Sequence, residues 1–246
     1  SLGGWNYSAM FWDIFNSPNP TATLNIVASN IADYVELVGA DGIDIDWEFP
    51  GVGNADLGIV GDPVADKTNF VTFIAAVYNA FQTKFGPAND KEISIAIATF
   101  DKALEAMNFT SLNSYVDKFH LMTYDYLGPW GYTGHQSNLY SDSSTKAQNY
   151  EVNKWSIDHA VTQLNAAGVP KNKMVPGVAF YGRSWRGIHV PNYSKATGNS
   201  NLNSLFYKLG SGAGGGETQS GIYPYKFIKH VLKPESTPIN VTYDKF

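Results

Sequence analysis

Asp41-Gly42-Ile43-Asp44-Ile45-Asp46-Trp47-Glu48-Phe49-Pro50 alternates apolar and acidic side chains with a period of two. Successive side chains of a β-strand point to opposite faces, so Ile43, Ile45 and Trp47 share one face and Asp44, Asp46 and Glu48 the other. By the rise per residue, successive acids stand roughly 6.5–7 Å apart, close enough for neighbours to lean together and share a proton. The apolar face predicts burial against helices, which turns the acids toward the interior of a sheet or barrel. Buried carboxylates persist only when paired, protonated or needed for chemistry. A solvated surface strand accounts poorly for the Ile, Trp and Phe neighbours. A ladder of catalytic acids, with proton affinities pushed apart by burial and like charge, accounts for them well. Glu48 is last on the strand, reaches the C-terminal mouth where barrel enzymes place their chemistry, and is the natural general acid. Asp46 and Asp44 sit deeper and tune its proton affinity. Asp41, on the opposite parity at the strand start, anchors backbone. A calcium loop is the competing oxygen-ligand reading, but it needs ligands at alternate places in a loop, whereas Ile and Trp intervene here in a strand.

Outward from this strand the chain alternates helix-like and strand-like patterns. Helices are expected at 8–16 and 24–38, where Ile26, Val27, Ile31, Tyr34 and Val35 form an apolar stripe before Gly39. A strand at 42–48 and a Gly/Pro/Asp-rich loop at 50–66 lead to a helix at 69–85 and a strand at 92–100. A short helix near 102–107, a strand at 114–126, a long polar loop at 127–150, a helix at 154–168 and a strand at 173–185 follow. This is an α/β pattern with a parallel sheet or barrel of about five strands. Beyond residue 186 the chain is richer in Gly, Asn, Ser and Tyr and reads as a separate lobe, so the expected domains are 1–186 and 187–246. The run GSGAGGGE at 210–217 lacks a following Lys-Ser/Thr, which makes it a turn rather than a phosphate loop.

With 246 residues and 43% hydrophobic side chains, the chain can bury a real core and is too apolar for intrinsic disorder. Its net charge of -5 is the opposite of the basic footprint that phosphate backbones require, so nucleic acid and anionic membrane are not expected partners. The absence of cysteine excludes disulfides, thiolate nucleophiles and cysteine-ligated metal, and leaves the compartment open. No apolar run is long enough to span a membrane, and the start SLGGWNYSAM lacks a basic-then-apolar pattern, so any signal peptide has been removed or lies upstream. His120, His135, His159, His189 and His230 show no ligand spacing, and no metal is expected. Sequons at Asn6, Asn108, Asn192 and Asn240 carry little weight in a chain this rich in Asn, Ser and Thr.

DGIDIDWEFP resembles the Asp-x-x-Asp-x-Asp-x-Glu signature of glycoside hydrolase family 18, the chitinases. Other segments agree in order. Ser1-Leu2-Gly3-Gly4-Trp5 is similar to that family's third-strand motif, Met122-Thr123-Tyr124-Asp125 to its sixth, and Phe180-Tyr181-Gly182-Arg183-Ser184-Trp185 to its seventh. The resemblance implies a (β/α)8 TIM barrel, incomplete in this chain because strands one, two and eight are absent, with residues 187–246 as an α+β insertion lobe. It implies a secreted, extracellular, monomeric chitinase without cofactor, acting on chitin or N-acetylglucosamine oligosaccharides. Glu48 would protonate the glycosidic oxygen, and Asp46 would turn between Asp44 and Glu48. Asp46 and Tyr124 would hold the N-acetyl group, whose carbonyl is the nucleophile; the family is an exception to the two-carboxylate scheme of retaining glycosidases. Met122, Asp125, Tyr181 and Arg183 would line the reactive subsite, and Trp5 and Trp130 would be sugar platforms on the leaving-group side. Phe49 departs from the tyrosine of many relatives.

Core packing competes with function at each aromatic. Trp12, Trp47 and Trp155 read as core, whereas Trp5 and Trp130 follow turn residues, where burial is harder. The alternative for Arg183 is a structural ion-pair partner within the barrel. Two other activities fit the scaffold: an endo-β-N-acetylglucosaminidase that cuts N-glycan cores, and a non-catalytic lectin, which would usually lack the terminal glutamate that is present here as Glu48.

Overall fold

A computed structural model describes residues 1–128, 135–141, 154–183, 185–189, 206–209, 222–225 and 229. The chain divides into two compact units, Ser1–Met122 with Ala160–Pro176, and Thr123–His159 with Gly177–Phe246. The first contains, in chain order, β1 (Leu2–Gly3), α1 (Ala9–Phe15), α2 (Pro20–Val38), β2 (Gly42–Asp46), β3 (Gly53–Asn54), β4 (Ile59–Val60), α3 (Ala65–Phe85), β5 (Glu92–Ala98), α4 (Asp101–Glu105), α5 (Phe109–Leu112), β6 (Lys118–Met122), α6 (Ile157–Ala166, from Ala160 on) and β7 (Met174–Pro176). Its sheet runs β1-β2-β5-β6-β7, and every neighbouring pair is parallel. Strands in chain order, parallel and joined through helices, make this an incomplete (β/α)8 barrel of five strands. In the second unit β8 (Tyr181–Arg183) pairs antiparallel with β11 (Ile222–Pro224), and β9 (Trp185–His189) pairs antiparallel with β10 (Phe206–Leu209).

Local chemistry sets the element ends, and several lie away from the positions expected from periodicity. α2 begins four residues before its expected start at 24 because Asn19 caps it, accepting from the Ala22 N–H at 3.2 Å, with Pro20 in the first turn. It ends at Gly39, whose φ of 66° is left-handed. α3 likewise starts at Ala65 rather than 69, since the Asp62 carboxylate accepts from the N–H groups of Val64 and Ala65 at 2.9 and 3.0 Å. Those two N–H bonds, Ala65 first, hold the Asp62 carboxyl below its ordinary range. The loop expected at 50–66 contains the β3/β4 hairpin. The strand expected at 173–185 is divided: β7 stops at Pro176, which has no N–H to extend a ladder, and β8 pairs instead with β11.

The core of the first unit gathers around Trp47. Phe11 stacks on it at 5.1 Å between ring centroids, while Trp12 and Phe70 meet it edge-on at 5.1 and 5.6 Å. Trp12 and Trp47 are core, as expected, whereas Trp155 is only half-buried. Ile45, Ile93, Ile95, Phe119 and Leu121 continue the apolar layer across β2, β5 and β6. Trp47→Ala should cost about 3–5 kcal/mol, the range for emptying a large aromatic from a packed core. Trp47→Phe should cost well under half of that, because the indole N–H it removes is buried without a partner among the described residues. Urea unfolding of the two variants checks the order, and equal losses would refute it.

Candidate active site

β2 carries the acids. Ile45 and Trp47 are fully buried on one side, and Asp44, Asp46 and Glu48 are half-buried on the other. The strand's ladder ends at Asp46, two residues short of the expected end, so Glu48 sits just beyond the C-terminal end of β2, next to a cis Glu48–Phe49 peptide. β1 lies alongside with Gly3 opposite Asp46. A Cβ on Gly3 would collide with the Asp46 carbonyl oxygen, so only glycine permits this approach. The adjoining Gly4 N–H donates to the same carbonyl at 2.7 Å.

The two aspartates differ in their partners. Asp44 Oδ1 accepts from Ser94 Oγ at 2.7 Å and lies 3.1 Å from His120 Nδ1, and its Oδ2 accepts from Ser1 Oγ at 2.9 Å. Asp46 Oδ1 is buried and has no hydrogen-bond partner among the described residues. Burial first, and then the charge of Asp44, push the Asp46 carboxyl up to about 6. It can therefore gain or lose a proton at mildly acidic pH.

Trp5 is more than a third exposed, and its indole N–H donates to Asp56 Oδ2 at 2.7 Å, which fixes the ring's orientation. Its ring lies 6.1 Å from that of Phe49. Met122 ends β6, and its carbonyl accepts from the Thr99 hydroxyl. Beneath the loop after Glu48, the buried Asp66 Oδ2 accepts from the Trp12 indole, Gly51 N–H and Asp62 N–H at 3.0, 2.9 and 3.1 Å.

In the second unit, Tyr124, Asp125, Tyr181 and Arg183 form a cluster of their own. Arg183 grips Asp125 with two contacts of 2.7 Å, Nε to Oδ1 and a terminal nitrogen to Oδ2. The ion-pair role for Arg183 is thus what the geometry displays. The Tyr181 ring lies 6.3 Å from that of Tyr124 and 5.4 Å from the guanidinium carbon. Burial, followed by the Asp125 charge and a hydrogen bond to it, raises the Tyr181 phenol far above its ordinary range. Asp125 has a left-handed φ of 58°, a conformation Asp adopts more readily than most residues. Trp130 lies outside the described residues.

Sequence reasoning missed Ser8, Asn54, Asp66, Ser94 and His120, which hold or contact the ladder region. Among the described residues no group of three or more His, Asp or Glu is arranged to hold a metal ion, and no helix is long and apolar enough to cross a membrane. A groove of about 1010 Å³ between α2 and α3, lined by Leu24, Ala28, Ala32, Ala76 and Ala80 among others, includes none of the ladder acids.

A parallel barrel strand that ends in such a carboxylate ladder defines a class of glycosidase-like barrels. The chain belongs to the glycosyl hydrolases family 18, whose sequence model matches residues 1–245. It is 36% identical over 188 residues to chitinase 2 of Yersinia entomophaga, covering 75% of this chain and 29% of that protein. It is 30% identical over 238 residues to chitinase 1 of Aphanocladium album, covering 93% and 47%. Among solved structures, a Bacillus thuringiensis chitinase superposes with a TM-score of 0.74 at 27% identity over 92% of this chain and 35% of that one. A family 18 N-acetylglucosaminidase from Paenibacillus barengoltzii gives 0.71 at 25% identity, over 92% and 59%. The chain thus spans less than half the length of these two curated relatives.

The raised proton affinity of Asp46 has a consequence for stability. Unfolding returns the carboxyl to about 3.9. The folded state therefore binds the extra proton between about pH 4 and 6, and the Asp46 contribution to stability falls as pH rises through that window and stays low above it. Asp46→Asn should be flat across the window and more stable than the parent protein above pH 6. Chemical-denaturation midpoints of both proteins from pH 4 to 7 check this, and a difference that does not change with pH would refute it.

Proposed function

We propose that the protein containing this chain is a chitinase that hydrolyses β-1,4-linked N-acetylglucosamine polymers with retention of configuration, using the substrate's own N-acetyl group as nucleophile. The observation that carries this reading is Asp46: a half-buried carboxyl pushed up to about 6, with a buried, unpartnered oxygen, two residues before Glu48. Family membership and the printed names of the relatives support it.

Glu48 gives its proton to the glycosidic oxygen as the bond to the anomeric carbon breaks. The acetamido carbonyl oxygen forms the new bond to that carbon, leaving an oxazolinium ion. Asp46, aided by Tyr124, orients the acetamido group and offsets its developing positive charge. Water then attacks the anomeric carbon, returns a proton to Glu48 and reopens the ring. Met122, Asp125, Tyr181 and Arg183 line the reactive subsite, with Trp5 and Trp130 as platforms for the sugars on the leaving-group side. Tyr124 and Asp125 follow β6 in sequence as Glu48 follows β2, and both strands run the same way in one parallel sheet. The barrel part is residues 1–186 and the insertion lobe 187–246. The protein works secreted and as a monomer, without metal or cofactor.

Glu48→Gln in the full-length protein should lower turnover of chitotetraose by about 10²–10⁴ while leaving chito-oligosaccharide binding near the parent value. A thiazoline mimic of the cyclised intermediate should inhibit, and a deacetylated glucosamine substrate should not be turned over. Equal turnover of that substrate, or a glycosyl group trapped on Asp125 or Asp46, would overturn substrate assistance. Hydrolysis of N-glycan cores but not chitin would favour the endo-β-N-acetylglucosaminidase, and binding without hydrolysis the lectin.

A further inference from the structure

Two buried polar side chains hold the main chain of Glu48. On one side Ser8, fully buried, accepts the Glu48 N–H on its Oγ at 2.9 Å. The same hydroxyl donates to the Gly4 carbonyl at 2.8 Å and lies 3.3 Å from the Asp46 carbonyl. On the other side Asn54, 1% exposed, donates through Nδ2 to the Trp5 carbonyl at 2.7 Å and lies 3.4 Å from the Glu48 carbonyl. Its Oδ1 accepts from the Leu57 N–H at 3.2 Å, which fixes the orientation of the amide. Buried polar groups are costly unless satisfied, and these two are satisfied by the backbone of the segments that present the acid and the Trp5 platform.

We infer that Ser8 and Asn54 are positioning residues that form a two-sided clamp, locking the acid Glu48 at a fixed height relative to Trp5 and so aligning proton donation with the sugar bound on the leaving-group side. The inference rests on the chitinase reading above and adds residues which that reading does not use. Neither side chain touches the reacting atoms; each acts through the Glu48 peptide groups. A displacement of about 1 Å in a reacting group costs about 10²-fold in rate.

The clamp is distinguished from simple structural support by the dependence on leaving group. Ser8→Ala and Asn54→Ala are made in the full-length protein, with Ser8→Thr as the variant that keeps the hydroxyl. Turnover is measured on chitotetraose, whose leaving sugar needs the proton and occupies the Trp5 side, and on a dinitrophenyl chitobioside, whose leaving group does not. Both alanine variants should lose about 10²-fold in kcat/KM on chitotetraose, with chito-oligosaccharide binding little changed, and less than threefold in kcat/KM on the dinitrophenyl substrate, with Ser8→Thr recovering most of the loss. Activity on the dinitrophenyl substrate also reports that the variants fold. Equal losses on the two substrates, or no loss on either, would overturn the clamp. Glu48→Gln in the same assay isolates the parent reading: if it shows no leaving-group dependence, Glu48 is not the acid and the chitinase mechanism itself falls.

Discussion

Burial of Trp47 among Phe11, Trp12 and Phe70 fixes the parity of β2, and the site depends on that parity. With a side-chain period of two, a one-residue slip would bring the acids into the aromatic cluster and turn Trp47 out. The packing of one indole therefore decides which way three carboxylates face. It also ties fold to chemistry, since the aromatic cluster draws on α1, α3 and the residue just after β2, which lies between Asp46 and Glu48.

Facing three acids inward creates a second constraint, and the residues around them relieve it unequally. Asp44 has a hydroxyl on each oxygen and an imidazole beside one of them. Asp46 is left with one buried oxygen unfilled and takes up a proton more readily instead. Among the described residues no lysine or arginine pairs with either carboxylate. A cation there would lower the proton affinity of Asp46; hydroxyls satisfy Asp44 without doing so.

The ladder and the parallel α/β order were legible because each follows a local rule, period two or period 3.6, whereas the approach of Gly3 to β2 was not. Glycine pairs announce close approach without saying to what, and the partner here, the Asp46 carbonyl, is 43 residues away in sequence. Ser8 read as a helix-start residue and stands at the α1 cap position, but its hydroxyl bonds Gly4 and Glu48 rather than the helix's first turn. Asn54 and Asp66 lie in a stretch that composition marks only as loop, where each works as a long-range tie. Capping carboxylates and amides moved helix starts by four residues for the same reason: short polar side chains act on N–H groups that an apolar stripe does not reveal.

The cluster of the second unit bears on what a subsite can bind. Arg183 spends its fork on Asp125, so neither offers a free charge to a ligand, and the pair together is neutral. The Tyr181 phenol is held protonated far beyond neutrality and donates to Asp125. What the cluster leaves to a neighbour is the faces of the Tyr124 and Tyr181 rings and the remaining acceptor capacity of Asp125. Aromatic faces suit the apolar faces of sugar rings, and a carboxylate already balanced by arginine accepts hydroxyl or amide hydrogens without demanding a cation. An anionic substrate would find no unpaired guanidinium here. Such a surface matches an uncharged ligand with apolar faces and hydrogen-bond donors better than a charged one.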